Sequence, residues 1–91
     1  MSSAREIALT MIDELLVGRI SVGEFSSKFE QHYNYVWPDP ELDPDNAEFS
    51  LLFDCASWYS PYPSERKAMP LYKSEKDVLE CAALVRRNVK S

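Results

Sequence analysis

The chain reads as one all-α domain, a compact antiparallel bundle of four helices, and three observations predict it. Three serines each stand three residues ahead of an acid at the head of an apolar run, Ser3 before Glu6, Ser21 before Glu24 and Ser74 before Asp77, which is how a helix N-terminus announces itself. Behind each, apolar residues recur at spacings of three and four, the period of one helix face. No segment alternates at period two for long enough to form a strand, and no internal repeat or low-complexity tract appears. With 91 residues, 45% of them hydrophobic, the chain has enough apolar content for one small core and too little length for a second.

The first helix is expected over about residues 4–17. Ser3 accepts a first-turn amide and Glu6 reaches back to the cap's own amide, a reciprocal capping box. Ile7, Met11, Ile12, Leu15 and Leu16 form the inward stripe, and Gly18 supplies the left-handed residue that ends the helix. The second helix covers about 22–33. Ser21 and Glu24 repeat the box, Ile20 and Phe25 close a hydrophobic staple, and Val22, Phe25, Phe29 and then His32 or Tyr33 face one way. Ser26, Ser27, Lys28, Glu30 and Gln31 are its polar side. A connection of three residues between these two helices implies an antiparallel hairpin.

From Asn34 to Pro44 the prolines at 38, 40 and 44 remove amide donors and bias the residues before them to extended geometry, so the segment is expected to hold neither helix nor strand. The third helix follows over about 46–59, capped by Asp43 or Asp45. Its inner stripe is Phe49, Leu52, Phe53, Ala56 and Tyr59, leaving Asp54, Ser57 and Trp58 at the outside or the edge. Residues 60 to 73, with Pro61, Pro63 and Pro70, form a second irregular connection whose Met69, Leu71 and Tyr72 tuck against the bundle. The last helix, about 75–89, starts at Ser74 and buries Val78, Cys81, Ala82, Val85 and Val89. Arg86, Arg87 and Lys90 suit the negative end of its dipole.

Charge is distributed unevenly along this frame. The formal net charge is -5, yet residues 29–65 carry eight acids without one Lys or Arg, and residues 66–91 carry seven bases against three acids. Past its first position, the acidic stretch holds eight of the eleven aromatic residues. Such a field attracts a basic partner and repels nucleic acid. Exposed Trp and Tyr commonly dominate interface energetics, which marks Trp58 and Tyr62 around the Ser60-Pro61 break.

Other chemistries fit poorly. The one histidine, His32, sits at a helix end, where capping of carbonyls is its ordinary state, and neither Cys55 nor Cys81 lies in a nucleophile motif. Both cysteines fall inside expected helices and read as buried, reduced thiols. The run Asp39, Glu41, Asp43 and Asp45 imitates a calcium loop, but with Asp39 first, Pro44 replaces the turn glycine and Ser50 the bidentate glutamate. No metal or cofactor is expected, and no enzyme. No run reaches the roughly 20 apolar residues of a membrane span, and the N-terminus lacks a secretory pattern, so the expected location is the cytoplasm.

Ile20-Ser21-Val22-Gly23-Glu24-Phe25-Ser26, then Leu52-Phe53, Trp58-Tyr59-Ser60-Pro61 and Arg66, resembles the colicin D immunity family and its relatives in contact-dependent growth inhibition, over most of the chain. That resemblance implies a small acidic four-helix protein of the bacterial cytoplasm that binds a cognate nuclease toxin one to one, often a tRNase, and covers its active site. It also implies acids near the end of the third helix and after the aromatic-x-Pro turn that stand in for phosphates. Here those positions hold Ser57 and Tyr62, so the mimicry would come from Glu48, Asp54 or the loop acids Asp39, Glu41, Asp43 and Asp45, with Trp58 and Tyr62 as aromatic anchors. The alternative is an acidic helical adaptor that binds a basic protein segment and has no toxin.

Overall fold

Five α-helices, α1 (Ala4–Leu16), α2 (Val22–Gln31), α3 (Asn46–Ser57), α4 (Pro63–Ala68) and α5 (Glu75–Asn88), with no named strand among the described residues, make up the computed structural model, which describes residues 3 to 89. A π-helical turn, His32–Val36, extends α2, and a 3-10 turn, Pro40–Leu42, precedes α3. The sulfur, ring and aliphatic groups of the core meet where α3 packs on α2 and α5 and α1 packs on α5.

Helix ends follow the local chemistry closely. Ser3 and Ser21 accept the amides of Glu6 and Glu24, each at 3.1 Å. The reciprocal half is formed only at α5, where the Asp77 carboxylate also accepts the Ser74 amide at 3.0 Å. Glu24 instead meets Lys28 one turn on, at 2.8 Å. Gly18 ends α1 with φ of 81°; its amide bonds to Leu15 and that of Arg19 to Glu14, the paired bonds that a left-handed residue after a helix permits. Lys90, assigned to the last helix dipole, lies outside the described residues.

The core is built on Phe25, Phe29 and Phe49, fully buried with Ile12, Leu52, Val78 and Val85. Each such side chain contributes about 2 kcal/mol by leaving water. The expected stripes of α2 and α5 are buried, apart from Cys81, which is half-buried, but Ser26, assigned to the polar side of α2, is buried as well. On α3, Phe49, Leu52 and Ala56 are buried, while Phe53 and Tyr59 are half-buried. The face of α1 is rotated from its expected position. Ala8 and Leu9 turn inward with Ile12 and Leu15, and Ile7 and Leu16 are each 39% exposed. The small Ala8 permits close approach where a larger residue would hold the helices apart.

Two connections are more ordered than their prolines predicted. Pro38 cannot block the turn that precedes it, so α2 widens over His32–Val36 and closes with the Trp37 amide on the His32 carbonyl at 2.8 Å. This swings Trp37 into the core, edge-on to Phe49 at 5.0 Å and near Tyr33 at 6.1 Å. His32 is buried beside it, and its Nε2 donates to the Ala4 carbonyl at 2.8 Å; it anchors α1 instead of capping α2. Pro63 opens α4, because a first-turn amide needs no helical partner. Met69 and Leu71, expected against the bundle, are 43% and 60% exposed. Tyr72 does pack, edge-on to Trp58 at 5.6 Å. A single parallel bridge between Tyr59 and Lys73 closes this excursion.

Candidate interaction surface

The eight residues singled out by charge and aromaticity divide into three groups. Asp43 and Asp45 turn inward: Arg5 reaches from α1 to both, at 2.5 and 2.7 Å, and its guanidinium lies 5.6 Å from the Phe49 ring centre. Asp43 also accepts the Asp45 amide at 2.8 Å. Neither carboxylate caps α3 through its side chain; the Asp45 carbonyl instead accepts from Glu48 and Phe49. Burial opposes the Arg5 charge, yet hydrogen bonds and the fields of the two aspartates more than offset it and raise its pKa. These two acids hold the loop to the first helix.

Glu48 stands apart on the side of α3 that faces α5, half-buried, with Asn88 donating to it at 3.5 Å.

The remaining acids and aromatics face out. Asp39, Glu41 and Asp54 are exposed and make no ion pair among the described residues. Asn46, Ser50, Asp54 and Trp58, four residues apart, form one ridge of α3 about 18 Å long at 1.5 Å per residue. The acidic loop lies at its N-terminal end. Tyr33 joins the two: its hydroxyl donates to Asn46 at 2.8 Å and its ring stacks on Phe53 at 4.8 Å. Burial raises the Tyr33 phenol above its ordinary value, the Ser50 hydroxyl pulls it down, and the fields of Glu41 and Asp54 raise it further. The Tyr33 phenol thus lies in the fields of both a loop acid and a ridge acid.

At the other end of the ridge Trp58 is 38% and Tyr62 62% exposed. The bridge to Lys73 positions them. The Lys73 amide bonds to the Trp58 carbonyl at 2.7 Å, and the Ser60 amide to the Lys73 carbonyl at 2.9 Å. Ser60, buried, then organises the start of α4: its hydroxyl donates to Glu65 at 2.5 Å and accepts the Tyr62 amide at 3.3 Å, while Arg66 donates to its carbonyl at 2.7 Å. Glu65 is thereby committed to local structure.

Sequence reasoning passed over two groups beside the acidic loop. Tyr35 is 83%, Leu42 78% and Val36 59% exposed, and Tyr35 lies beside Ser27, Glu30 and Gln31 of α2. The signal was present, since neither Tyr35 nor Leu42 has an apolar neighbour at core spacing within its proline-flanked segment. Asp39 itself adopts φ of 47° and ψ of 56°, a left-handed conformation that costs a non-glycine residue roughly 1 kcal/mol. A concavity of about 460 Å³ around Tyr59, Pro61, Arg66, Ser74, Glu75 and Lys76 mixes both charges and lies off the ridge. No helix among the described residues is long and apolar enough to cross a membrane.

No family model matches the chain, and comparison with curated proteins and with solved structures finds no match.

Proposed function

We propose that this chain is an immunity-type protein of the bacterial cytoplasm, which binds one copy of a nuclease toxin domain and covers the basic groove that holds the toxin's nucleic acid. In this reading the long helices α1, α2, α3 and α5 form the antiparallel bundle of the colicin D immunity type, with α4 as an added turn. The observation that carries the reading is the loop together with the ridge: Asp39, Glu41 and Asp54 are exposed and make no ion pair among the described residues, and Trp58 and Tyr62 are exposed at the C-terminal end of α3. A nuclease groove shaped for a polyanion presents Lys and Arg. Close charge pairs in a nuclease–inhibitor complex couple by roughly 1.5 to 7 kcal/mol, and an aromatic anchor adds desolvated contact at the rim. Asp43 and Asp45 serve the same surface indirectly, because their grip on Arg5 fixes the loop that displays Asp39 and Glu41.

The test is genetic. The reading frame immediately upstream is expressed with and without this chain. Toxicity that this chain relieves supports immunity; a harmless neighbour counts against it and favours an adaptor for a basic protein segment.

A further inference from the structure

The outward face of α5 is apolar where an amphipathic helix is ordinarily polar. Val78, Ala82 and Val85 are buried in the core, and Arg86 reaches Asp13 of α1 at 2.7 Å, which fixes the side that packs. Away from it, Leu79 and Leu84 are 38% and 40% exposed, and Ala83 is exposed as well. A charge stands one turn to either side of Ala83 and Leu84. Glu80, Ala83, Leu84 and Arg87 follow at steps of three, one and three residues, so they share one side of the helix. Arg87 is exposed and makes no ion pair among the described residues, and Glu80 is held loosely, by Lys76 at 3.8 Å.

Acid, small, large, base: in reverse order this strip is its own complement. An identical helix laid on it antiparallel brings Glu80 opposite Arg87 and Ala83 opposite Leu84, and each contact then occurs twice. We infer that this face of α5 is a self-association surface, on which two copies of the chain pack α5 against α5 about a two-fold axis between Ala83 and Leu84. The symmetry closes the pair and leaves no site for a third copy.

Size and charge divide the work. The small Ala83 leaves room for the Leu84 side chain of the other copy, and removal of both leucines from water supplies the cohesion. Exposed charge pairs contribute little individually, but these two set the direction, because a parallel pair in register would place Glu80 against Glu80 and Arg87 against Arg87. The contact uses one helix face per copy, so the dimer is a weak one. Asp39, Glu41, Asp54, Trp58 and Tyr62 do not belong to this face, and the inference does not rest on their reading as a partner surface.

The test is analytical ultracentrifugation of the purified full chain under reducing conditions, over a concentration series that reaches about 1 mM, the scale of a weak contact. The expected result is a monomer–dimer equilibrium with no larger species. Leu84→Glu, at a position the core does not use, should keep the helical circular dichroism of the parent and sediment as a monomer throughout. Glu80→Arg and Arg87→Glu each reverse both symmetric pairs and should each weaken the dimer by about tenfold. An equimolar mixture of those two variants should restore it, since every Arg then meets a Glu in the heterodimer. A monomer at every concentration, a dimer that Leu84→Glu or both charge reversals leave intact, a mixture that stays monomeric, or oligomers that grow past two would each overturn the inference.

Discussion

The Arg5 guanidinium of α1 is 2.5 Å from the Asp43 carboxylate, across 38 residues of sequence, and the same side chain holds Asp45 at 2.7 Å. This clamp divides the acidic stretch into carboxylates that stabilise the fold and carboxylates left for a partner. The side chains of Asp43 and Asp45 are only 9% and 17% exposed, so loss of Arg5 would strand two desolvated charges. Arg5→Ala is expected to destabilise the protein by about 2 kcal/mol, below the range for fully buried pairs because Arg5 keeps some access to water. Asp39→Asn is expected to stay within about 0.5 kcal/mol, as for an exposed position with no partner to lose. Urea unfolding of the two variants measures the contrast.

Ser26 is buried on α2, and its hydroxyl has no hydrogen-bond partner among the described protein groups. Ser26→Ala removes that desolvated group and improves helix propensity. It is expected to stabilise by about 0.5 to 1 kcal/mol in the same unfolding assay.

The Ser74 amide and hydroxyl hold the Asp77 carboxyl below its ordinary pKa. A depressed folded-state pKa contributes stability that is fully present above the unfolded value, about 3.9, and that is lost as the pH falls through the lower folded value. Asp77→Asn should therefore flatten the acid limb of stability below about pH 4. Ser74→Ala should cost about 1 kcal/mol at neutral pH through the lost cap. Thermal melts from pH 2 to 7 separate the two effects.

How far the sequence could be read depends on the range of each interaction. The caps at Ser3, Ser21 and Ser74 and the end of α1 at Gly18 were legible because each is settled within four residues. The buried face of α2 was legible because that helix carries few competing apolar positions, whereas on α5 Leu79 and Leu84 are apolar yet remain outside the buried stripe. On α1, Ile7, Ala8, Leu9, Met11 and Ile12 crowd one another, and hydrophobicity alone does not choose the side that packs. The π turn and α4 were hidden behind prolines that act on the residues beside them: Pro38 follows the π turn, and Pro63 begins a helix. For the candidate surface, Asp54, Trp58 and Tyr62 were expected outside and are exposed. The pairing of Asp43 and Asp45 with Arg5 has no local signal, and only the tertiary fold reveals it.

The central claim, that the exposed acids of the loop and the ridge bind a basic nuclease domain, is tested most directly by inhibition of the upstream-encoded domain's nuclease activity by purified variants of this chain. Asp54→Asn and Glu41→Gln should each fold normally and weaken inhibition by about tenfold or more, equivalent to about 1.4 kcal/mol per lost pair. The difference from the unsubstituted protein should shrink as salt rises. Inhibition that is undiminished in the doubly substituted protein, with an unchanged salt dependence, would contradict the account.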